Sequence, residues 1–174
     1  MQFQVSSKAR KSYRIRRQLR VGEYFVLSKI LVAIDGSKTA DLALDFGLDL
    51  AVKYSAEVLV VSVLDTISKS LIYSGMLYAP DSTVKYLEEL EAFYEKALTE
   101  ALNKKEKLNT KIKVSTKLLK GRAADMIVKT ANDGNFDLIV IGSRGLGGIK
   151  EFFLGSVSDR VADDAKCPVL IVKH

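Results

Sequence analysis

The sequence is poor in the residues that build disulfide- or zinc-stabilised folds: it has one cysteine, one histidine and no tryptophan among 174 residues. The single cysteine, Cys167, excludes an intrachain disulfide. The single histidine, His174, leaves no cysteine–histidine cluster for structural zinc. This cysteine usage is typical of a reducing compartment, so we expect a cytoplasmic protein.

Long hydrophobic runs are also missing. No apolar stretch reaches the ~20 residues that a membrane-spanning helix needs, so we expect no membrane partner. The apolar segment 24–34 contains Lys29 and leads directly into Asp35, and cleavage there would destroy the first predicted strand. A secretory signal is therefore not expected.

The net charge of +6 is confined to one end of the chain. Residues 1–28 contain seven basic residues and one acidic residue, whereas the remainder contains 20 of each. We therefore expect a basic N-terminal extension at 1–28 and one folded domain at 29–174. The extension is interpreted either as a disordered tail or translated leader, or as an arm that contacts nucleic acid.

Short strand-like segments alternate with helical ones. Apolar or alternating runs predict five strands, at residues 29–35, 57–65, 111–119, 136–141 and 168–172. Helical patterns follow from the Ser37 cap to about Tyr54, from Asp81 or Ser82, from Gly121, and from about Ser156 to Asp164. Ala43, Phe46 and Leu50 form the predicted inner stripe of the first helix. This order predicts a three-layer α/β/α sandwich around a five-stranded parallel sheet, with 111–119 nearer an edge.

Glycine is concentrated after the fourth predicted strand. Five of the 11 glycines fall within 14 residues, at Gly142, Gly145, Gly147, Gly148 and Gly155. The segment starts where open α/β sheets bind ligands and ends at a helix N-terminus, which attracts anions. Ser143, Ser156 and Ser158 add hydroxyl groups. The pattern therefore predicts a cradle for a phosphate chain.

This loop is not one of the two common phosphate-binding motifs. The Walker motif is absent because Lys150 follows Ile149 and precedes Glu151. The dinucleotide motif is absent because Lys150 occupies the position of its last glycine. The loop fits G-x-x-G, nine residues, then G-S.

Several segments resemble the ATP-binding branch of the universal stress protein family. They are I-L-V-A-I-D-G-S, V-V-S-V-L-D, D-L-I-V-I-G-S-R-G-L-G-G with L-G-S-V-S, and the closing C-P-V-L-I-V. The resemblance covers residues 29–173 and implies a Rossmann-like fold similar to the adenine nucleotide alpha hydrolases. Ser62 stands where the family often has histidine.

The resemblance implies roles for individual residues. Ala33, Val63 and Ile141 would lie beside the adenine, and Asp35 near the ribose and phosphates, where it would help hold Mg²⁺. Gly142, Ser143 and Gly145 would line the nucleotide; Gly155, Ser156, Val157 and Ser158 would hold the phosphates. The implied ligand is ATP, with AMP or ADP as alternatives. A homodimer through the last strand is also implied, and an exposed P-V-L-I-V edge favours such pairing.

Several residues keep a second interpretation. The glycine loop could be a plain connection, Asp35 a turn cap and Arg144 a solvent-facing cation rather than a phosphate ligand. Asp65 is interpreted as structural and Cys167 as a packing residue.

Three functions follow from these features. The first is a nucleotide-dependent regulatory or sensor protein in the stress response. The second is a slow ATPase or self-phosphorylating enzyme, for which the chain lacks a Walker lysine, an internal histidine and an obvious arginine finger, so we assign no catalytic residue. The third is a nucleic-acid-associated accessory protein that uses residues 1–28.

Overall fold

The apolar runs of the sequence form the strands of one parallel sheet. The computed structural model describes residues 26–64, 81–108, 111–146 and 154–173. In chain order the elements are β1 (Lys29–Ala33), α1 (Lys38–Tyr54), β2 (Glu57–Leu64), α2 (Asp81–Lys107), β3 (Val114–Lys120), α3 (Ala123–Asp133), β4 (Leu138–Gly142), α4 (Ser156–Asp164) and β5 (Val169–Val172). The predicted α/β class and the five-stranded parallel sheet are confirmed.

The strand order is β3-β2-β1-β4-β5, with every neighbouring pair parallel. From β1 the chain adds β2 and then β3 on one side, and it then crosses back to add β4 and β5 on the other side of β1. The connections that follow β1 and β4 therefore diverge, which opens a crevice beyond the carboxyl ends of these two strands. β3 lies at one edge, as its alternating sequence predicts, and β5 lies at the other.

Helices cover both faces of the sheet. α1 and α2 pack on one face, where Ala43, Leu48 and Leu98 join a core with Val32 and Val140. α3 and α4 cover the other face, where their apolar residues pack against alternate residues of the same strands. The central strands are buried on both faces, which explains why β1, β2 and β4 are nearly continuous apolar runs.

The predicted inner stripe of α1 is wrong at Phe46, whose side chain is 42% exposed. Its buried residues are Ala40, Ala43, Leu44, Gly47, Leu48 and Ala51. Gly47 lies so close to β1 that an added Cβ would stand 2.5 Å from Cγ2 of Val32. The helix therefore presents its small residues to the sheet, and this orientation about the helix axis places Phe46 on the outer face.

Some predicted boundaries shift by a few residues. α3 begins at Ala123 rather than Gly121, because Gly121 has a φ of +143° and Arg122 is the N-cap. β1 ends at Ala33, so Asp35 lies in the turn beyond it. β3, β4 and β5 begin at Val114, Leu138 and Val169. α4 has the predicted bounds.

Other predictions lie outside the described residues. These are Asp65, the glycines Gly147 and Gly148, and nucleic-acid contact through the extension. The helix predicted from Asp81 or Ser82 begins at Asp81. Among the described helices, none is long and apolar enough to cross a membrane.

Candidate functional site

Asp35 connects the turn after β1 to the loop after β4. Its Oδ1 accepts the backbone N–H of Ser37 at 3.0 Å, and its Oδ2 accepts the backbone N–H of Leu146 at 3.0 Å. Between these segments lies Gly145, where an added Cβ would stand 2.5 Å from the carboxylate Oδ2. A side chain at position 145 would therefore break the contact, so the sequence needs glycine there.

Hydroxyl groups at the start of α1 contact the same loop. Ser37 caps α1, as predicted, by accepting the N–H of Ala40 at 3.2 Å. Its Oγ also lies 3.3 Å from both Thr39 Oγ1 and the carbonyl oxygen of Arg144. Thr39 Oγ1 donates to that same carbonyl oxygen at 2.6 Å. The sequence analysis missed Thr39, although a second hydroxyl two residues after the cap was a signal.

Gly142, the last residue of β4, allows α1 to approach the sheet. An added Cβ would stand 2.9 Å from the backbone N of Ala40 and from both the carbonyl carbon and Oγ1 of Thr39. Two of these three atoms belong to the backbone and cannot rotate away. The first turn of α1 is thus packed directly on the end of β4.

A second set of hydrogen bonds joins β4 to α4. The N–H of Ser143 donates to the carbonyl of Val172 at 2.8 Å, and its own carbonyl accepts the N–H of Gly155 at 2.8 Å. The hydroxyl of Ser158, a side chain only 2% exposed, lies 3.1 Å from that carbonyl and 2.9 Å from the carbonyl of Gly155. Ser158 is therefore bonded inward to two backbone carbonyls.

The first turn of α4 contains the other residues predicted to hold the phosphates. Gly155 is the N-cap and provides no side-chain hydrogen bond. Ser156 and Val157 are exposed. A helix start without a side-chain cap leaves its first N–H groups to solvent or to an anion. The arrangement is chemically suited to a phosphate.

Apolar residues near the carboxyl ends of β1, β2 and β4 lie close to this turn. Ala33 and Ile141 are register partners on β1 and β4, each 6% exposed, and both belong to the core on the α3–α4 side. Val63 of β2 packs against the same core and is half-buried. The three residues that the resemblance assigns to the adenine therefore share one face of the sheet near its carboxyl end.

Ser62 replaces the histidine that the resembled family often has. Its side chain is completely buried, and its hydroxyl donates to the carbonyl of Ile34 at 2.9 Å. The N–H of Ile34 in turn bonds to the carbonyl of Val61 at 2.9 Å. The substitution thus supports the chain where it leaves β1.

The remaining candidate residues differ in their surroundings. Arg144 is half-buried and forms no ion pair with the described part of the chain. Cys167 is half-buried against the α3–α4 core, and burial raises the pKa of its thiol, as a packing residue requires. Within the described ranges no three acidic, cysteine or histidine residues form a metal cluster.

Comparisons with known proteins point to one family. A model of the universal stress protein family matches residues 27–173. The chain is 36% identical over 151 residues to the universal stress protein YxiE of Bacillus subtilis, covering 85% of this chain and 100% of the relative. The matched region includes Asp35, Gly142 and Gly155.

Two similar solved structures contain nucleotides. One is a universal stress protein in complex with cAMP, 26% identical, covering 85% of this chain and 98% of that one, with a TM-score of 0.59. The other is the universal stress protein from Archaeoglobus fulgidus in complex with dAMP, 25% identical, covering 84% and 98%, with a TM-score of 0.55. Both ligands of these relatives are adenine nucleotides.

Proposed function

The chain belongs to the universal stress protein family, and from that premise we propose that it binds ATP and acts as a nucleotide-dependent regulatory protein in the stress response. The relatives solved with cAMP and dAMP support adenine as the base. AMP and ADP remain alternative ligands, because the cradle leaves the number of phosphates open.

One observation carries the proposal. The apolar pair Ala33 and Ile141 lies beside an uncapped helix start, since Ile141 is two residues from Ser143 and the Ser143 carbonyl bonds to the N–H of Gly155. An apolar surface suits a purine ring, and an adjoining helix start suits phosphates. Few ligands other than a nucleotide need both.

The residues divide into three groups in this proposal. Ala33, Val63 and Ile141 contact the base, while Gly142, Ser143 and Gly145 line the nucleotide. Gly155, Ser156, Val157 and Ser158 hold the phosphates, with Ser158 acting by supporting the turn from inside. Asp35 shares Mg²⁺ with the phosphates, because each of its carboxylate oxygens keeps a lone pair beyond its backbone hydrogen bond.

Nucleotide extraction and calorimetric titration test the proposal, with Gly155→Val as the disrupting variant. Gly155 has extended backbone angles, φ −66° and ψ 149°, which valine adopts readily. An added Cβ would already stand 3.3 Å from the carbonyl oxygen of Ser143, so the branched side chain must displace the turn or fill the cradle. We expect at least tenfold weaker ATP binding, which corresponds to about 1.4 kcal/mol.

Arg122→Val is the matched control, because Arg122 is also an N-cap without a side-chain cap bond, at the start of α3. It should leave ATP binding unchanged. Wild-type protein that is purified empty and takes up none of ATP, ADP and AMP would overturn the proposal.

The proposal includes a homodimer through β5. This strand pairs with β4 on one side, and Val169, Leu170 and Ile171 remain only partly buried in the single chain. A second copy could cover them by pairing along the free edge. Sedimentation equilibrium should give twice the chain mass; a single-chain mass at every concentration would contradict the dimer. We also infer a cytoplasmic location, which cell fractionation checks.

A further inference from the structure

Three side chains near the start of α1 hold the backbone after β4. Asp35 Oδ2 accepts the N–H of Leu146 at 3.0 Å, Thr39 Oγ1 donates to the carbonyl of Arg144 at 2.6 Å, and Ser37 Oγ lies 3.3 Å from that carbonyl. We call these contacts the clasp. It joins segments more than 100 residues apart in the chain.

Thr39 occupies the central position in the clasp. A hydroxyl has one proton to donate, and the 2.6 Å contact assigns that of Thr39 to the Arg144 carbonyl. Ser37 Oγ lies 3.3 Å from both the Thr39 oxygen and the Arg144 carbonyl oxygen, so its one proton is shared between these two acceptors, while the Ser37 oxygen accepts the N–H of Ala40 at 3.2 Å. The result is a continuous chain of hydrogen bonds in which each member polarises the next.

The Arg144 carbonyl determines where the following backbone points. It precedes the Gly145 N–H by one peptide bond, and the next N–H, that of Leu146, is directed at Asp35. If the carbonyl turned away, the Gly145 N–H would turn with it, because both belong to one planar peptide unit. The Leu146 N–H belongs to the next unit, so it would keep its direction toward Asp35 only through a compensating rotation about the Gly145 backbone. The hydrogen bond from Thr39 therefore fixes the orientation of the glycine segment relative to Asp35.

We propose that Thr39 is a positioning residue for the nucleotide site: its hydroxyl keeps residues 143–146 in the binding-competent arrangement before the ligand arrives. The inference rests on the proposed nucleotide binding, in which Asp35 and Gly145 contact the ligand and Thr39 acts through them. Losing the hydroxyl reduces the fraction of competent molecules. The association rate falls in that proportion, and the dissociation rate stays constant.

Stopped-flow binding of a fluorescent ATP analogue tests this inference. Thr39→Val removes the hydroxyl at nearly constant volume, and we expect about fivefold weaker binding, the effect of one ordinary hydrogen bond, caused by slower association. Thr39→Ser should restore the wild-type rate. Thr99→Val is the matched control, because the Thr99 hydroxyl also donates to a backbone carbonyl, that of Glu95 at 2.9 Å, but within α2.

Hydrogen exchange without nucleotide provides the second measurement. Thr39→Val should speed exchange at the Leu146 amide, whereas Thr39→Ser and Thr99→Val should not. If wild type binds ATP and Thr39→Val associates at the same rate, the inference is overturned and the proposed function stands. If wild type binds no adenine nucleotide, the proposed function fails first, and unchanged exchange at Leu146 would then remove the clasp as well.

Discussion

Asp35 and Asp137 make the same kind of contact at opposite ends of the β1–β4 pair. Asp35 follows β1 and accepts two backbone N–H groups, including that of Leu146 after β4. Asp137 precedes β4, and its Oδ2 accepts the N–H groups of Ser28 at 2.9 Å and Lys29 at 3.0 Å, where the chain enters β1. Each carboxylate therefore ties the two central strands together at its own end of the sheet.

The surroundings of the two carboxylates differ. Long side chains meet at the amino end: the Lys29 ammonium contacts the Glu57 carboxylate at 3.3 Å, the Gly134 carbonyl at 3.4 Å and the face of the Phe136 ring. At the carboxyl end the neighbours are glycines and small hydroxyl residues. The comparison teaches that the same carboxylate–backbone contact can be built among long charged and aromatic side chains or, in the described part of the chain, beside glycines and small hydroxyl residues.

The largest expected difference between the ends comes from adding one methyl group. Gly142→Ala forces a Cβ against the backbone of α1, so we expect a loss of about 1–3 kcal/mol in the free energy of unfolding, measured with urea. Gly134→Ala places its Cβ against the Phe136 ring, a side chain that can shift, and 3.1 Å from the carbonyl oxygen of Thr130, a looser backbone contact than those at Gly142; Gly134 already has helical angles. Gly134→Ala should therefore lower the free energy of unfolding by less than Gly142→Ala. Equal losses would show that the carboxyl end is no less tolerant.

The next effect separates stability from binding. Asp137→Ala leaves two backbone N–H groups without their carboxylate, and we expect a loss of about 1–2 kcal/mol in the free energy of unfolding. Because Asp137 lies at the far end of β4, the calorimetric dissociation constant for ATP should stay within twofold of wild type. A large change in ATP affinity would contradict the assignment of a stabilising role to the amino end and a binding role to the carboxyl end.

Asp35→Ala should show the opposite pattern. It releases the Leu146 N–H and removes the carboxylate proposed to share Mg²⁺, so we expect about tenfold weaker Mg²⁺–ATP binding, or about 1.4 kcal/mol. The loss of unfolding free energy should be smaller than that of Asp137→Ala, because the released amides lie in a turn and a loop, whereas Asp137 holds the N–H of Lys29, the first residue of β1. Titration of both variants with and without Mg²⁺ tests this; unchanged affinity in Asp35→Ala would remove Asp35 from the site.

The smallest effect concerns acid stability at the amino end. The hydrogen bond from Lys29 lowers the pKa of Glu57, against the opposite effect of partial burial, and Lys113 also contributes. A carboxyl group with a lowered folded-state pKa stabilises the protein above its unfolded pKa, and this contribution disappears as pH falls through the folded pKa. Glu57→Gln should therefore lose a small part of the stability at neutral pH, match wild type at acid pH, and so flatten the acid side of the stability profile.

Urea midpoints collected from neutral to acid pH check this prediction. Glu89→Gln is the control, because Glu89 is an exposed residue of α2 that pairs with Lys85 at 3.9 Å. A Glu57→Gln profile parallel to wild type would show that the ion pair contributes no pH dependence.

Local patterns were sufficient to predict most of the fold. The apolar runs of β1, β2 and β4 identified buried strands, and Ser37 identified the start of α1. The outward position of Phe46 was not predictable, because it depends on the close contact between Gly47 and Val32, which the helical period does not encode. The edge position of β3 was predictable, since its lysines alternate with apolar residues.

The candidate site was only partly predictable. The glycine spacing indicated a phosphate cradle, and the family resemblance assigned Asp35 and the α4 residues to it. The roles of Thr39 and Asp137 could not be found this way, because both depend on β1 and β4 being neighbours. That adjacency comes from the strand order, which the alternation of strands and helices leaves open.

The adjacency of β1 and β4 also has a consequence for the newly made chain. Asp35 and Leu146 are 111 positions apart, so their contact cannot form until the ribosome has released the segment after β4. A truncated translation product that ends before β4 retains Asp35 but lacks the opposite side of the crevice. If the chain binds nucleotide as proposed, the ligand stabilises only molecules that have the whole site. Nucleotide binding would therefore distinguish translation products in which the segment after β4 has folded beside the turn after β1.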